Sequence, residues 1–236
     1  MTLVVELCGL PGTGKTTLAR LVAAELAERG RRCAIADTAL SAAASRSRRL
    51  RHKAAAVAVR TARHPTLTAS SAWWIAASRQ EEARDAVAGL AQWLAVQHAV
   101  ALARREQGVS LFEEGVVQTL WTIGLRARRD VVRRLLDSHS GASRPDLLVV
   151  VDAPVDVVRE RLTERSSRHS RTQQLDAGSQ AAELRHGREL LDKLTTWASV
   201  QTQVVKNDGR VRLSALATQV ADGVDRIAGP PHHPWF

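Results

Sequence analysis

Residues 9–16 most constrain what this chain can fold into. They read Gly-Leu-Pro-Gly-Thr-Gly-Lys-Thr, a complete G-x-x-x-x-G-K-T motif. An apolar run at 3–7 precedes the motif, and apolar residues at helical spacing follow it until Gly30. The glycines let the backbone curl into a nest of N–H donors at a helix N-terminus, where phosphate oxygens bind. This order of strand, loop and helix predicts a nucleoside triphosphate site rather than an ordinary glycine-rich turn.

The residues of this loop have distinct predicted roles. Lys15 is expected to reach the outer phosphates and act in catalysis, and the Thr16 hydroxyl is expected to ligate magnesium. The predicted cofactors are therefore ATP and Mg²⁺. The residues predicted to bind the nucleotide in this part of the chain are Gly9, Gly12, Thr13, Gly14, Lys15, Thr16 and Thr17.

Length and composition limit the number of domains and the compartment. A chain of 236 residues can bury one substantial core, so we predict a single domain over 1–228 and a C-terminal tail at 229–236. The chain has two cysteines, no signal-peptide pattern and no run of eighteen apolar residues. We therefore expect a protein of the reducing cytoplasm without a membrane segment.

The net charge of +10 is unevenly distributed along the chain. Seven Arg or Lys residues and no acid lie between Arg46 and His64. This segment can be an ordinary solvated helix face, a surface that recognises phosphate, or a surface that binds nucleic acid. Because no aromatic residues interleave with the charges, nucleic acid is the least favoured of the three partners.

Short apolar segments alternate with helical patterns along the chain. After 3–7, buried-strand patterns occur at 33–36, 109–112, 146–151 and 203–206. Strands that alternate with helices require right-handed crossovers. The pattern predicts an α/β fold, a doubly wound five-stranded parallel sheet of the P-loop NTPase type, with ligands beyond the carboxyl ends of the strands.

Residues 41–105 read as a helical insertion that binds the acceptor. Trp73 and Trp74 in this insertion are predicted to pack in the core, although stacking on a flat substrate stays open. Arg79 is read either as a surface residue or as a contact to a ribose or phosphate. The insertion is also predicted to contain a buried stripe formed by Ala83, Val87, Leu90, Leu94, Ala101 and Leu102.

Acidic residues follow several of the predicted strands. Asp37 follows the second strand, Glu113 and Glu114 follow the third, and Asp152 follows the fourth. The carboxyl ends of parallel strands meet at one edge of a sheet, where we expect these side chains to face the triphosphate. A carboxylate within reach of an acceptor hydroxyl can act as general base, and Asp37 competes with Glu113 or Glu114 for that role. We assign Glu113 to magnesium.

Three segments of the chain match a known class in order and spacing. They are 9–16, 147–154 followed by Asp156, Arg161 and Arg165, and the turn Asn207-Asp208-Gly209. With them the chain resembles the small-molecule kinases of the P-loop class, especially thymidylate kinases and deoxynucleoside kinases.

The resemblance implies roles for further residues. It implies a lid at about 165–179 whose arginines close over the transferring phosphoryl group, and a turn that contacts the adenine side of the nucleotide through Asn207 and Gly209. It favours Asp37 as the base and a structural role for Asp152. The pair Glu113-Glu114 departs from the Asp-Arg or Glu-Arg dipeptide of the family. The lid arginines would be Arg161, Arg165, Arg168 and Arg171.

The resemblance implies an ATP-dependent phosphotransferase that acts on a small molecule. A nucleoside or nucleotide is the expected acceptor, and an antibiotic or another secondary metabolite is an open alternative. A third reading is a non-catalytic, nucleotide-regulated protein that engages nucleic acid through 46–64. The arginine-rich lid argues against that reading, because a switch protein needs no such lid. A homodimer is possible on this sequence.

Overall fold

The computed structural model describes residues 2–36, 46–138, 143–164, 172 and 175–229. These residues form an open sheet of five parallel strands in the order β2-β3-β1-β4-β5, with helices on both faces, as predicted. The elements in chain order are β1 (Thr2–Cys8), α1 (Lys15–Glu28), β2 (Cys33–Ile35), α2 (Arg46–Arg63), α3 (Pro65–Ala77), α4 (Ala83–Ala103), β3 (Gly108–Phe112), α5 (Val116–Leu125), α6 (Val132–Asp137), β4 (Leu147–Asp152), α7 (Val155–Glu164), α8 (Ala177–Ala198), β5 (Gln201–Lys206) and α9 (Leu213–Ala228).

The central strand β1 divides the molecule into two cores. Successive side chains of a strand point to opposite faces of the sheet. Leu3, Val5 and Leu7 therefore pack with α1 and α9 on one face. Val4 and Cys8 pack on the other face, together with buried residues of α4, α5 and α8. This burial holds the carboxyl end of β1, and the phosphate loop that follows it, in the middle of the sheet edge.

The predicted helical insertion consists of α2, α3 and α4. Pro65 begins α3, where its missing N–H costs nothing. By length and composition alone, α4 would be long and apolar enough to cross a membrane. It instead packs against α2, α3 and α5 and buries Trp93, Leu94 and Val100, which makes it a core helix of this domain.

Four predictions about buried residues in this insertion were wrong, and the four residues, Ala83, Val87, Ala101 and Leu102, are all exposed. Val87 and Leu102 are 71% and 46% exposed, because the buried face of α4 is centred on Trp93 and Val100 and these residues project from other sides of the helix.

The core prediction was also wrong for Trp73, which is 68% exposed. Neighbouring residues on a helix point in different directions, so only Trp74 packs against the core. The guanidinium of Arg134 lies 4.9 Å from the centre of the Trp74 ring.

The last strand is longer than its apolar pattern predicts. Gln201 and Thr202 belong to β5 and pair with Leu147 and Leu148 of β4. Because β5 is an edge strand with exposed side chains, its polar start carries no hydrophobic pattern.

Candidate active site

The phosphate loop is held in shape by the segment that follows β5. Gly14 has φ +91°, and a Cβ added there would lie 2.7 Å from Nδ2 of Asn207, so a larger residue would be strained and crowded. Asn207 is buried, and its Nδ2 donates a hydrogen bond of 2.7 Å to the carbonyl of Thr13. The predicted nucleotide-binding residues of the loop and of the Asn207 turn therefore lie side by side.

Lys15 lies across the phosphate loop. Its Nζ donates hydrogen bonds of 2.8 Å and 3.0 Å to the carbonyls of Gly9 and Leu10. The ammonium group is thus placed at the start of α1, where backbone N–H groups and the helix dipole favour negative charge. A cation and an open helix N-terminus within one loop fit the phosphates of a nucleotide.

Thr16 and Glu113, the two residues predicted to hold magnesium, are in direct contact. The Thr16 hydroxyl donates a 2.6 Å hydrogen bond to Oε2 of Glu113. Parallel pairing of β1 with β3 brings the two residues together, because both follow the carboxyl ends of neighbouring strands. Hydroxyl and carboxylate oxygens are ligands that Mg²⁺ prefers, so the donor set fits this ion.

Arg161 lies beside the nucleotide-binding residues of the Asn207 turn. Its Nη1 donates a 3.1 Å hydrogen bond to the carbonyl of Asn207, and Nη2 lies 3.4 Å from the Oδ1 of the same residue. Gly209 adopts φ +87° in the same turn. Arg161 therefore stabilises the Asn207 turn, and Asn207 in turn stabilises the phosphate loop through its bond to Thr13.

Several predicted site residues lie outside the described residues, and their roles stay predictions. They are Asp37, Arg165, Arg168 and Arg171. Of the predicted lid, the part from Ala177 onwards belongs to α8.

Asp152 is engaged within the protein. Its Oδ1 accepts a 2.5 Å hydrogen bond from Nη2 of Arg188, which also donates to the carbonyl of Ala153. Sequence reasoning did not identify Arg188, because a single arginine on a polar helix face gives no pattern.

A cavity of about 240 Å³ opens next to the phosphate loop, between α2, α4 and α5. Gln118 connects the cavity to the phosphate loop. It lines the cavity, and its Oε1 accepts a 3.0 Å hydrogen bond from the N–H of Gly9. Glu114, the neighbour of Glu113, also lines the cavity. The described lining residues are Lys53, Gln80, Asp85, Ala88, Gly89, Gln92, Glu114, Gln118, Thr119, Thr122, Ile123 and Arg126.

The formal charges of the described lining residues sum to zero. Arg126 donates a 2.7 Å hydrogen bond to Asp85, and the two form an ion pair. Burial raises the pKa of Glu114, an effect that the cations of Lys15 and Lys53 oppose. Burial also lowers the pKa of Lys53, which the charge of Glu114 opposes.

Lys53 connects the basic segment to the site. It belongs to α2, whose sequence is rich in Arg and Lys, and it reaches the cavity. The exposed Arg79 is not among the described lining residues.

Glu6 is a buried acid that sequence reasoning missed. It is 1% exposed on β1, and its Oε1 accepts a 2.8 Å hydrogen bond from the N–H of Gln118 in the first turn of α5. Burial raises the pKa of Glu6 to about 7, against the lowering effect of the N–H groups of Val116, Val117 and Gln118. A Cβ at Gly115 would lie 2.3 Å from Cδ of Glu6, so glycine is needed where α5 begins. The sequence signal that could have identified Glu6 is its position as the single acid in the apolar run at 3–7.

Comparisons with known proteins support the fold. The model of the ATPase family associated with various cellular activities (AAA) matches residues 5–69, which include the phosphate loop. No curated protein sequence matches the chain significantly. A structure of deoxyadenosine kinase from M. mycoides, with the products dCMP and a flexible dCDP bound, has a TM-score of 0.53 at 9% identity and covers 95% of this chain and 100% of that chain.

A second structure of deoxyadenosine kinase from M. mycoides, with dATP bound, has a TM-score of 0.52 at 9% identity and covers 94% of this chain and 100% of that chain. At this identity the likeness concerns the fold. The chain therefore has the P-loop fold seen in deoxynucleoside kinases.

Proposed function

We propose that this protein is an ATP- and magnesium-dependent kinase that transfers the terminal phosphoryl group of ATP to a hydroxyl of a small molecule held in the cavity. One observation carries the proposal. The consecutive residues Glu113 and Glu114 contact different parts of the site. Glu113 bonds to Thr16 of the phosphate loop, and Glu114 lines the cavity. A triphosphate side and an acceptor side thus meet at one dipeptide.

The phosphate loop provides the electrostatic part of this function. Phosphoryl transfer leaves little covalent chemistry to the protein, so positioned cations and N–H donors do most of the stabilisation. In this proposal Lys15 would neutralise charge on the outer phosphates, and Thr16 and Glu113 would hold Mg²⁺, which would offset further negative charge of the triphosphate. Bound ATP supplies the phosphoryl group. Arg161 and, by prediction, Arg165 add positive charge from the side of α7.

The balanced charges of the cavity favour a hydroxyl over a phosphate as acceptor. Asp85 pairs with Arg126, and the charge of Glu114 acts on Lys53, so a second anion would meet an acid close to each of the two cations. A nucleotide acceptor would bring such an anion. A nucleoside, as the name of the deoxyadenosine kinase structures suggests, and an antibiotic or another secondary metabolite both fit this condition.

The test of the proposed function is product formation. ATP with a panel of nucleosides, nucleotides, hydroxylated antibiotics and sugars is expected to give one phosphorylated class of product, detected by mass spectrometry together with ADP. ATP consumption without a phosphorylated acceptor across the panel would contradict the proposal.

The acceptor hydroxyl loses its proton during transfer, and we assign that proton to Glu114 because this carboxylate lines the cavity. Glu114→Gln is expected to lower kcat by about 10²–10⁴-fold, with little change in the affinity for ATP. Asp37→Asn tests the competing prediction from the sequence. Steady-state kinetics with saturating ATP compare the two variants.

Glu28→Gln serves as the matched control, because it makes the same change on the exposed surface of α1. A large loss of kcat in Asp37→Asn, with normal turnover in Glu114→Gln, would transfer the base role to Asp37.

A further inference from the structure

The chemistry of the cavity lining restricts the acceptor more narrowly than the fold does. This step rests on the proposed function, since it takes the cavity as the acceptor site. Pockets for small molecules are usually lined mostly by hydrophobic and aromatic side chains, with a few polar groups that set orientation. Here nine of the twelve described lining residues have polar or charged side chains, and Ala88, Gly89 and Ile123 are the other three.

No aromatic ring lines the cavity in the described part of the chain. The chain has only two Phe and six Trp and no Tyr. Phe112 and Trp93 are fully buried in the core, and Trp121 is buried with its Nε1 donating a 2.6 Å hydrogen bond to the carbonyl of Gly187. The undescribed segment 37–45, which precedes α2, contains no aromatic residue in its sequence.

The other described tryptophans are also placed elsewhere. Trp74 and Trp197 pack against the core with arginines near their rings, and Trp73 is exposed outside the cavity lining. A planar base gains much of its binding free energy by stacking on an aromatic face. The described lining of the cavity offers no such face to a nucleobase.

Two polar atoms of the lining lack a hydrogen-bond partner. Thr119 is 2% exposed, and its Oγ1 has no partner among the described residues. Nε2 of Gln92 is likewise unpartnered. A buried polar group without a partner costs about 1–3 kcal/mol. Each of these two atoms has less than 1 Å² of accessible surface, so the side chains must turn towards the cavity before a ligand oxygen can bond to them and remove this cost. Both atoms donate hydrogen bonds, and hydroxyl oxygens accept them.

Size and charge point to the same class of ligand. The volume of about 240 Å³ lies below the range of about 300–1,000 Å³ that is common for drug-sized ligands. Among the described residues, the lining carries two cations, Lys53 and Arg126, and two acids, Asp85 and Glu114. An uncharged, compact molecule with several hydroxyl groups matches these conditions.

We infer that the acceptor is a small, uncharged, non-aromatic polyol of the sugar type, bound by hydrogen bonds to Thr119, Gln92 and their neighbours, rather than a nucleoside. One hydroxyl of the polyol lies towards Glu114 and the phosphate loop, and the others bond to the amide and hydroxyl groups of α4 and α5.

The experiment compares matched ligands with and without a base. Ribose, glucose, N-acetylglucosamine and myo-inositol form one arm, and adenosine, deoxyadenosine, cytidine and thymidine form the other. Binding is measured by calorimetry in the presence of Mg²⁺ and a non-hydrolysable ATP analogue, and phosphorylation is measured with ATP. We expect the best polyol to bind at least about tenfold more tightly than the best nucleoside, because nucleosides lack a stacking partner.

The binding and phosphorylation readouts separate the two proposals. Polyol binding without phosphorylation supports the ligand class and contradicts the kinase function. Preferential nucleoside binding contradicts the ligand class, whether or not the nucleoside is phosphorylated. If no ligand of either arm binds, the proposed ligand class is also wrong.

Thr119→Val tests the unpartnered hydroxyl directly. The methyl group replaces a hydroxyl that has no partner, so the free protein is expected to be at least as stable as the original in thermal unfolding. Affinity for the preferred polyol is expected to fall about tenfold, because a ligand hydroxyl loses its bond. Thr218→Val, the same change on the exposed face of α9, is the control. Unchanged polyol affinity in Thr119→Val would overturn the inference.

Discussion

Lys15→Ala is expected to reduce ATP turnover by at least about 10²-fold, the loss typical when one positioned group that stabilises transition-state charge is removed. The Nζ of Lys15 lies within hydrogen-bond distance of two carbonyls of the phosphate loop, at the N-terminus of α1. Negative charge spreads over the phosphoryl oxygens during transfer, and alanine leaves that charge to the N–H groups alone. The measurement is the rate of ADP release with saturating acceptor.

The fold is expected to survive this change. Two hydrogen bonds of Lys15 go to carbonyls of the loop, whereas β1 and α1 are held by Leu7, Leu18 and Val22 in the core. Lys193→Ala, on the exposed side of α8, is the matched control. Equal turnover in Lys15→Ala and the original protein, with both folded by circular dichroism, would refute the nucleotide site.

The sheet and the phosphate loop are predictable because the sequence patterns that define them lie within single short segments. An apolar run marks each buried strand, and the spacing of residues 9–16 defines the loop before any tertiary contact forms. The faces of α4 were less predictable. Val87 and Leu102 fit an apolar stripe by spacing, but the orientation of the helix follows Trp93, which is fully buried on a different side of α4.

The residues of the candidate site also differ in how well the sequence predicts them. The Thr16–Glu113 contact follows from a motif and a strand end, both visible in the sequence. Lys53 reaches the cavity from a basic helix whose other residues look like a solvated face, and Gln118 is polar in an otherwise apolar helix. Their roles depend on how α2, α4 and α5 pack, which no pattern within one element reveals.

Glu6 links the phosphate loop to the cavity through Gln118. It holds the first turn of α5 through the N–H of Gln118, and the side chain of Gln118 in turn accepts from Gly9. The pKa of Glu6 rises from 4.5 to about 7 in the folded protein. Between these pH values the folded state keeps a proton that the unfolded state has released, so the free energy of unfolding falls as pH rises through this window and levels off above it.

Glu6→Gln isolates this effect, because glutamine has the shape of the protonated acid and does not titrate. Relative to the original protein, the variant is expected to gain about 2 to 3 kcal/mol of unfolding free energy between about pH 5 and about pH 8. Urea unfolding at the two pH values measures the difference, and Glu28→Gln shows what the same exchange does on the surface. A Glu6→Gln difference that is the same at both pH values would show that burial does not raise the pKa of Glu6. The acid would then stay charged at the start of α5, balanced by the helix N–H groups.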